Sequence, residues 1–447
     1  MAVADDRPLA DQAWLTAPAS RRVLDALMAA GSPARFVGGC VRDALLGRVV
    51  AGAELDLATA ERPEAVLRLL EEAGIKAIPT GLAHGTVTAV IDRQRFEITT
   101  LRRDVATDGR HAEVEFTDDF EADAARRDLT INAMSCDGEG RLYDYFGGRA
   151  DLAGGRIRFV GSAARRIAED YLRILRFFRF FAHYGRPPAD TEALEACRAA
   201  APELRRLSAE RVQAEMLRLL EAPDPLPALR LMGERGVLGQ VLPQPVALDR
   251  LTRLVALAPG SDAVLRLAAL LRPPTAPASA AERVARAWRL ANRDAARLVA
   301  LTRDPLPELA ADEAERRRAL YRLGAGHYAD LARLAAAAAG GAYPGRKARS
   351  HSPATGRARE EVRTALADAL AAAHAWPSPR LPISGDDILA LGVPPGPRVG
   401  ELLAAIEAWW LERDLVPDRA ACLAHAKALV SAQPGGGTAG AGGANRG

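Results

Sequence analysis

The hydrophobic pattern of the chain changes near Arg156, and this change limits the folds that the chain can adopt. Before Arg156, alternating segments such as TVTAVID and RFEITTLR stand between segments with a longer apolar period. Alternation predicts a strand, and a period near 3.6 residues predicts a helix. After Arg156 nearly every segment has the helical period. We therefore predict an α+β fold, with an N-terminal head that contains a small mixed sheet and an all-helical remainder.

The head has a readable order of elements. ARFVGG predicts a strand that enters a glycine turn, CVRDALLGR a helix and ELDLAT a second strand. RPEAVLRLLEEAG predicts an amphipathic helix that ends at Gly74. The two alternating segments predict a hairpin around residues 92–95.

A chain of 447 residues is too long for one ordinary core. Changes in pattern and Pro/Gly-rich segments predict the following divisions: a leader (1–20), the head (21–155), a helical neck (156–225), a helical body (226–380), a helical tail (381–433) and a disordered terminal segment (434–447).

Composition excludes several classes of protein. The net charge is only +3, and although nearly all basic residues are arginines, which suit phosphate recognition, compositional bias also explains their number. The four cysteines form no CxxC motif, so we predict neither zinc nor a disulfide framework. The N-terminus is unlike a secretory signal, and no apolar stretch is long enough to span a membrane. We expect a cytoplasmic protein without a stable protein partner.

Glu54 and Asp56 lie two positions apart on a predicted strand, so both side chains point to one face. Adjacent carboxylates repel each other unless a cation binds them, and with a bound triphosphate they suit Mg²⁺. Gly38 and Gly39 would let the backbone approach the phosphates closely, and Arg42 could contact phosphate or brace this turn. The alternative is an ordinary strand end with solvated acids.

Two further clusters could recognise a nucleotide. In RRDLTINAMS, Arg126 and Arg127 could bind phosphate, and Asp128 could accept a hydrogen bond from a ribose hydroxyl. We predict an apolar helical segment after them, so the alternative is a helix cap with flanking charges.

In EDYLRILRFFRF, Asp170 and Arg173 are three positions apart and would share a helical face. A carboxylate accepts hydrogen bonds and a guanidinium only donates them. Together they match the amino group and ring acceptor that cytosine and adenine have in common, and they reject guanine and uracil. The alternative is a surface helix on which Glu169 and Arg173 form a salt bridge.

These blocks, in this order, resemble those of the class II tRNA nucleotidyltransferases (CCA-adding enzymes) and the related bacterial poly(A) polymerases, of the polymerase-beta-like superfamily. The resemblance implies a nucleotidyltransferase head in which Glu54 and Asp56 bind metal, although family members usually have Asp at the first position. It implies Glu97 as a third carboxylate and an Arg127–Asp128 pair on the ribose. It also implies that Asp170 and Arg173 select the base without a nucleic-acid template, with support from Arg176.

Other segments resemble family blocks less closely. The polar segment after RFEITTLR corresponds to a flexible loop, with Asp104, Asp108, Arg110 and His111 as candidates. LSAERVQAEMLRLL corresponds to a block that braces the base-selecting helix through Glu210 and Arg211. ISGDDILALGVPPGPRVGELL corresponds to a C-terminal segment whose glycine-rich turn and Arg398 could approach RNA phosphates. A tight turn between helices is the alternative.

The resemblance implies template-independent addition of C, C and A to the 3′ end of tRNA, from CTP and ATP, by a two-metal mechanism. The helical half would hold the acceptor arm. Poly(A) polymerase is an alternative, but IPTGLAHGTVTAV stands where such enzymes have a very basic stretch. Enzymes that add only CC or only A are a further alternative, because they use the same base-selecting residues. A non-catalytic RNA-binding relative has only Glu54 in its favour.

Overall fold

The computed structural model describes residues 8–48, 55–82, 85–107, 112–272, 279–339 and 353–432. The chain divides into two compact units. The first contains Met1–Val255 and Pro259–Thr302, and the second contains Ala256–Ala258 and Arg303–Gly447.

The strands all lie in the N-terminal part of the first unit. The described strands are β1 (Ala34–Val37), β2 (Leu55–Thr59), β3 (Lys76–Gly81), β4 (Thr86–Ile91), β5 (Gln94–Thr100), β6 (Arg102–Thr107), β7 (Ala112–Phe116), β8 (Ser135–Cys136) and β9 (Leu142–Tyr143). Seven form one sheet in the order β3-β4-β5-β2-β1-β8-β9, and β6 and β7 form a separate ribbon. The sheet is mixed because β2 and β5 are parallel, whereas its other neighbours are antiparallel. The predicted mixed sheet is confirmed, although β3, β8, β9 and the ribbon were not predicted.

Helices fill the remainder, as predicted. They are α1 (Ala13–Thr16), α2 (Pro18–Met28), α3 (Gly39–Leu45), α4 (Pro63–Glu72), α5 (Phe120–Ala125), α6 (Gly148–Gly154), α7 (Ala163–Glu169), α8 (Leu172–Tyr184), α9 (Thr191–Ala200), α10 (Ala209–Leu220), α11 (Leu226–Glu234), α12 (Leu238–Val241), α13 (Leu248–Leu257), α14 (Ala263–Leu270), α15 (Ala280–Ala287), α16 (Asn292–Arg303), α17 (Glu313–Leu323), α18 (Ala325–Ala339), α19 (Pro353–His374), α20 (Gly385–Leu389), α21 (Pro397–Glu412) and α22 (Arg419–Ser431). Short 3₁₀ segments cover Thr130–Asn132 and Ala201–Arg206.

The predicted hairpin is confirmed. β4 and β5 pair antiparallel, and Ile91 lies opposite Gln94. The two residues between them, Asp92 and Arg93, have φ values of 49° and 68°. Two consecutive left-handed residues match the twist of an antiparallel pair, so they make a tight two-residue turn.

The predicted helix around Asp170 is interrupted. α7 ends at Glu169 and α8 starts at Leu172, while Asp170 has an extended backbone with φ −158° and ψ 108°. The Asp170 carboxylate accepts the Leu172 N–H at 3.1 Å, and its carbonyl accepts the Arg173 N–H at 3.0 Å. Asp170 therefore begins a new helix. The prediction that Asp170 and Arg173 share one helical face is wrong.

The prediction of an apolar helical segment after Asp128 is also wrong. Only Thr130–Asn132 is helical, as a 3₁₀ turn, and β8 follows at Ser135. The Thr130 hydroxyl donates to the fully buried Asp151 at 2.7 Å. The Asn132 side chain accepts from Arg42. These two side-chain contacts hold the segment in a turn that leads into the sheet.

A buried arginine caps the end of α10. Arg266, on α14, is only 1% exposed and is the largest fully buried side chain of the described residues. Its guanidinium donates to the carbonyl oxygens of Leu220, Ala222 and Pro259. The last carbonyls of a helix lack partners within the helix. Arg266 supplies those partners and ties α14 to the end of α10.

Candidate active site

Asp56 and Glu97 lie side by side on the open face of the sheet. They are register partners on the parallel strands β2 and β5, and both are exposed. Neighbouring strands are about 4.8 Å apart, so the two carboxylates can share a ligand. Leu55 and Leu57 are fully buried on the opposite face, as predicted. Glu54 lies outside the described residues.

The donor set at this position fits a hard cation. Asp56 and Glu97 offer only carboxylate oxygens, which Mg²⁺ prefers. Cys40 lies nearby, but burial and the charge of Asp56 raise the pKa of its thiol to about 12, so it stays protonated and is a poor ligand. No group of three or more His, Cys, Asp and Glu ligands occurs in the described part of the chain.

A glycine turn approaches these carboxylates. Gly38 has a φ of 71°, which other residues rarely adopt. A Cβ atom added there would lie 4.0 Å from Asp56 Oδ2 and 3.5 Å from Arg127 Nη1. Because Gly38 has no side chain, the Asp56 carboxylate and the Arg127 guanidinium can both lie close to its backbone. Gly39 begins the helix that follows.

Arg42 braces this turn from behind. Its guanidinium donates to both carboxylate oxygens of Asp43, at 3.0 and 2.9 Å, and to Asn132 Oδ1 at 2.7 Å. The ring of Tyr184 lies 4.4 Å from the guanidinium, and the Tyr184 hydroxyl donates to Asp43. Arg42 is buried, so of the two predicted roles its contacts match bracing.

A buried carboxylate that sequence reasoning missed orients the arginine pair. Asp123, on α5, accepts from Arg126 at 2.8 Å and from Arg127 at 3.2 Å. Burial opposes ionisation of Asp123, but the two arginines outweigh it and lower the pKa of this carboxyl. The spacings of three and four residues are typical of helical ion pairs, and this signal could have identified Asp123.

Asp128 is held by an arginine of α8 and by its own turn. Its carboxylate accepts from Arg176 at 2.6 Å, from the Leu129 N–H at 2.8 Å and from Asn132 at 3.2 Å. Burial works against the ionised form, but Arg176 outweighs it and lowers the pKa of Asp128 to about 2. A second buried carboxylate, Glu215, accepts from Arg179 and lies 3.9 Å from Arg176.

We expect Asp128→Asn to destabilise the protein in a pH-dependent manner. The lowered pKa of Asp128 means that its stabilising contribution is present above about pH 4 and disappears as the pH falls through about 2. At neutral pH the variant should lose about 2–3 kcal/mol of unfolding free energy. Urea unfolding between pH 7 and pH 2 measures this difference. Asp25→Asn, at an exposed position of α2, is the control, and a pH-independent difference would contradict the ion-pair explanation.

The carboxylate of Asp170 has two fixed contacts. One oxygen accepts the Leu172 N–H, and Oδ2 accepts from Arg211 at 2.6 Å. Arg211 is on α10, in the segment predicted to brace the base-selecting helix, whereas its neighbour Glu210 pairs with Arg289. The Asp170 side chain is still 27% exposed. A carboxylate has about four acceptor positions, so Asp170 retains capacity for a ligand.

Arg173 is fixed by three acceptors. It donates to Glu169 at 2.6 Å, to the Arg166 carbonyl at 3.0 Å and to the Arg126 carbonyl at 3.2 Å. The Glu169–Arg173 salt bridge considered as an alternative is therefore present. The contact with the Arg126 carbonyl joins α8 to the predicted ribose block. A guanidinium has five N–H donors, so two remain for a base.

The remaining candidates come from the loop segment and from the C-terminal segment. The backbone of Asp104 lies in β6, opposite Val114. Asp108, Arg110 and His111 lie outside the described residues. Arg398 is in the second unit, at the start of α21, and donates to Glu401 at 3.0 Å. Among the described residues, no helix is both long enough and apolar enough to cross a membrane.

Two protein-family models match parts of the chain. Residues 34–158 match the Poly A polymerase head domain, and residues 190–248 match the probable RNA and SrmB-binding site of polymerase A. The first match contains every described residue of the candidate site up to Asp128.

Individual relatives carry related names. The mitochondrial CCA tRNA nucleotidyltransferase 1 of Danio rerio is 47% identical over 206 residues, which are 45% of this chain and 47% of the relative. The CCA-adding enzyme of Streptococcus gordonii is 40% identical over 203 residues, which are 45% and 49% of the two chains. These alignments span about half the length of the curated relatives.

A solved structure is similar over almost the whole chain. The Bacillus stearothermophilus CCA-adding enzyme in complex with CTP has a TM-score of 0.67 and 28% identity, and the match covers 92% of this chain and 96% of that one. The ordered sequence blocks, the two domain matches and this similar fold agree: residues 34–158 match a head domain of the poly(A) polymerase type, and the chain resembles CCA-adding enzymes over most of its length.

Proposed function

We propose that the protein adds C, C and A to the 3′ end of tRNA, using CTP and ATP and releasing pyrophosphate. The observation that carries this proposal is the connection between two groups of residues. Asp56, on the carboxylate face, lies close to Gly38 and Arg127. The backbone carbonyl of the adjacent Arg126 accepts a hydrogen bond from the Arg173 guanidinium. A nucleotide with its phosphates near Asp56 could therefore place its base near Asp170.

The reaction forms one bond to the α-phosphorus of the nucleotide and breaks another. The RNA 3′-hydroxyl oxygen bonds to the α-phosphorus while the bond from that phosphorus to the bridging oxygen breaks. Pyrophosphate leaves with the electron pair, and the hydroxyl proton passes to solvent. Glu54 and Asp56, with Glu97 as the predicted third carboxylate, would hold Mg²⁺, which would favour ionisation of the hydroxyl and stabilise the leaving group. Arg127 would bind the phosphates.

Base selection follows from the donors and acceptors that remain. Asp170 can accept from the amino group of cytosine or adenine, and Arg173 can donate to the adjacent ring nitrogen. Guanine and uracil would place a carbonyl against the carboxylate and an N–H against the guanidinium. Each mispaired group costs roughly 1–3 kcal/mol. Because Arg173 is held by three acceptors, it cannot turn to suit the wrong base without breaking them.

The relatives support this proposal. The Bacillus structure is of a complex with CTP, and the relatives that match nearly half of the chain are named CCA-adding enzyme or CCA tRNA nucleotidyltransferase. The name of the head-domain family keeps poly(A) polymerase as the second candidate. A shared head explains why sequence similarity in residues 34–158 alone does not separate the two activities.

One assay distinguishes the candidates. The full chain is incubated with tRNA that lacks CCA, tRNA ending in C, tRNA ending in CC and an unrelated RNA, each with one labelled nucleoside triphosphate or with CTP and ATP together. We expect ordered completion of CCA on the three tRNAs, followed by a stop. Long A tails on the unrelated RNA would establish poly(A) polymerase instead. Activity on only some of the tRNAs would identify a partial enzyme, and no incorporation would favour a binding protein.

A further inference from the structure

The second unit contains a cavity with three arginines in its wall. The cavity has a volume of about 330 Å³ and is bounded by the segment before α17, by α17 itself and by Tyr328 of α18. Arg316, Arg318 and Arg322 line it. None of the residues discussed above as candidate active-site residues contributes to this cavity. The three guanidinium groups therefore need an explanation of their own.

Arg316 has an unsatisfied donor at this cavity. Its Nε atom is enclosed and has no hydrogen-bond partner among the described residues. The rest of the guanidinium is anchored, because Nη2 donates to the Ala311 carbonyl at 3.3 Å and the side chain is hydrogen-bonded to Tyr328, which is 1% exposed. An enclosed N–H without an acceptor is costly, and native proteins rarely leave one. Arg316 is therefore a residue of the cavity wall whose guanidinium keeps one unused donor.

Arg318 and Arg322 are a like-charged pair on one face of α17. They are four residues apart, a spacing at which equal charges destabilise a helix. Neither lies within 4 Å of a carboxylate in the described part of the chain. Arg317, which directly precedes Arg318, contrasts with this pair because it forms an ion pair with Asp414 and lies 3.3 Å from Glu313. The charge of Arg318 also acts on Asp414, although the hydrogen bond with Arg317 is the main cause of the lowered pKa of that carboxyl.

We propose that this cavity binds a single phosphate group, and that the group belongs to the backbone of the RNA substrate. Guanidinium groups bind phosphate through paired hydrogen bonds. Glu308 and Glu315 also line the cavity, and they reduce the three positive charges to a net charge of +1. That charge suits one phosphodiester better than a triphosphate. The identity of the phosphate as RNA rests on the proposed function.

The test is the salt dependence of RNA binding by the full chain. Fluorescence anisotropy gives Kd for tRNA lacking CCA at several KCl concentrations. In the double variant Arg318→Ala/Arg322→Ala we expect about tenfold weaker binding at low salt. The slope of log K against log salt should also become shallower by roughly one, the change for one lost phosphate contact. Arg303→Ala/Arg363→Ala removes the same charge from the second unit, outside the cavity, and is the matched control.

A double variant with the same slope and affinity as the control would overturn the proposal. So would a variant that loses binding of inorganic phosphate, measured by calorimetry, while its RNA binding is unchanged, because the site would then serve a free anion. The proposed function is tested separately by nucleotide incorporation. A protein that incorporates no nucleotide, yet shows the expected change in slope, would retain the phosphate site and refute the catalytic assignment.

Discussion

Asp56→Asn should abolish nucleotide incorporation while leaving the fold and tRNA binding unchanged. The variant keeps the size of the side chain but removes the charge next to Glu97. Loss of metal-assisted catalysis costs several kcal/mol, and each 1.36 kcal/mol is a factor of ten, so we expect a decrease in rate of about 10³-fold or more. Single-turnover incorporation of labelled CMP into tRNA lacking CCA measures the rate.

The control for this variant comes from the same sheet. Asp92→Asn removes an exposed carboxylate in the turn between β4 and β5, at a φ that Asn tolerates. It should retain activity. Normal incorporation by Asp56→Asn would refute the assignment of this face as the active site.

A second pair of variants tests Glu54, two positions before Asp56. Glu54→Ala should be inactive, and Glu54→Asp should retain much of the activity. An active Glu54→Ala would leave Glu97 as the partner of Asp56.

Removing the Asp170 carboxylate should relax the choice of base. Without this acceptor, cytosine and adenine lose a partner, and the carbonyl oxygens of uracil and guanine no longer meet a negative charge. From roughly 1–3 kcal/mol for each mispaired group, we expect discrimination against UTP and GTP to decrease by a factor of roughly 5–150. The measured quantity is kcat/KM for each of the four nucleoside triphosphates.

The design must separate base selection from helix capping, because Asp170 also accepts the Leu172 N–H at the start of α8. Asp170→Ser keeps an acceptor for this N–H and removes the charge, whereas Asp170→Ala removes both. Both variants should lose selectivity and the contact with Arg211, and Asp170→Ala should lose more stability because only it also removes the cap. Arg173→Ala should relax selectivity in the same way. The control is Glu195→Ala, which removes a carboxylate of α9 that is also paired with arginines. It should leave selectivity unchanged. Full selectivity in the Asp170 variants would contradict the assigned role.

The hydrophobic pattern predicted the architecture because burial imposes a period on each element. It could not detect the break at Asp170, since apolar residues continue at helical spacing through α7 and α8, and the break is stabilised by a polar side chain. The short strands β8 and β9 have two residues each and no readable period.

The candidate site was predicted as residues but not as contacts. Arg176 pairs with Asp128 across 48 positions of sequence, and Arg211 pairs with Asp170 across 41. Local spacing carries no information about such pairs, because the fold alone brings them together. Asp123 is the exception, since its two arginine partners follow it within one helical turn.

The cap that Arg266 provides for α10 also limits how this protein can be divided into independently folding pieces. A truncated chain that stops at the predicted end of the neck, residue 225, would retain α10 with Arg211 and Glu215 but would lose α14. The carbonyls of Leu220 and Ala222 would then lose their buried donor. A minimal catalytic fragment must therefore extend at least through α14, beyond residue 248, where the second family match ends.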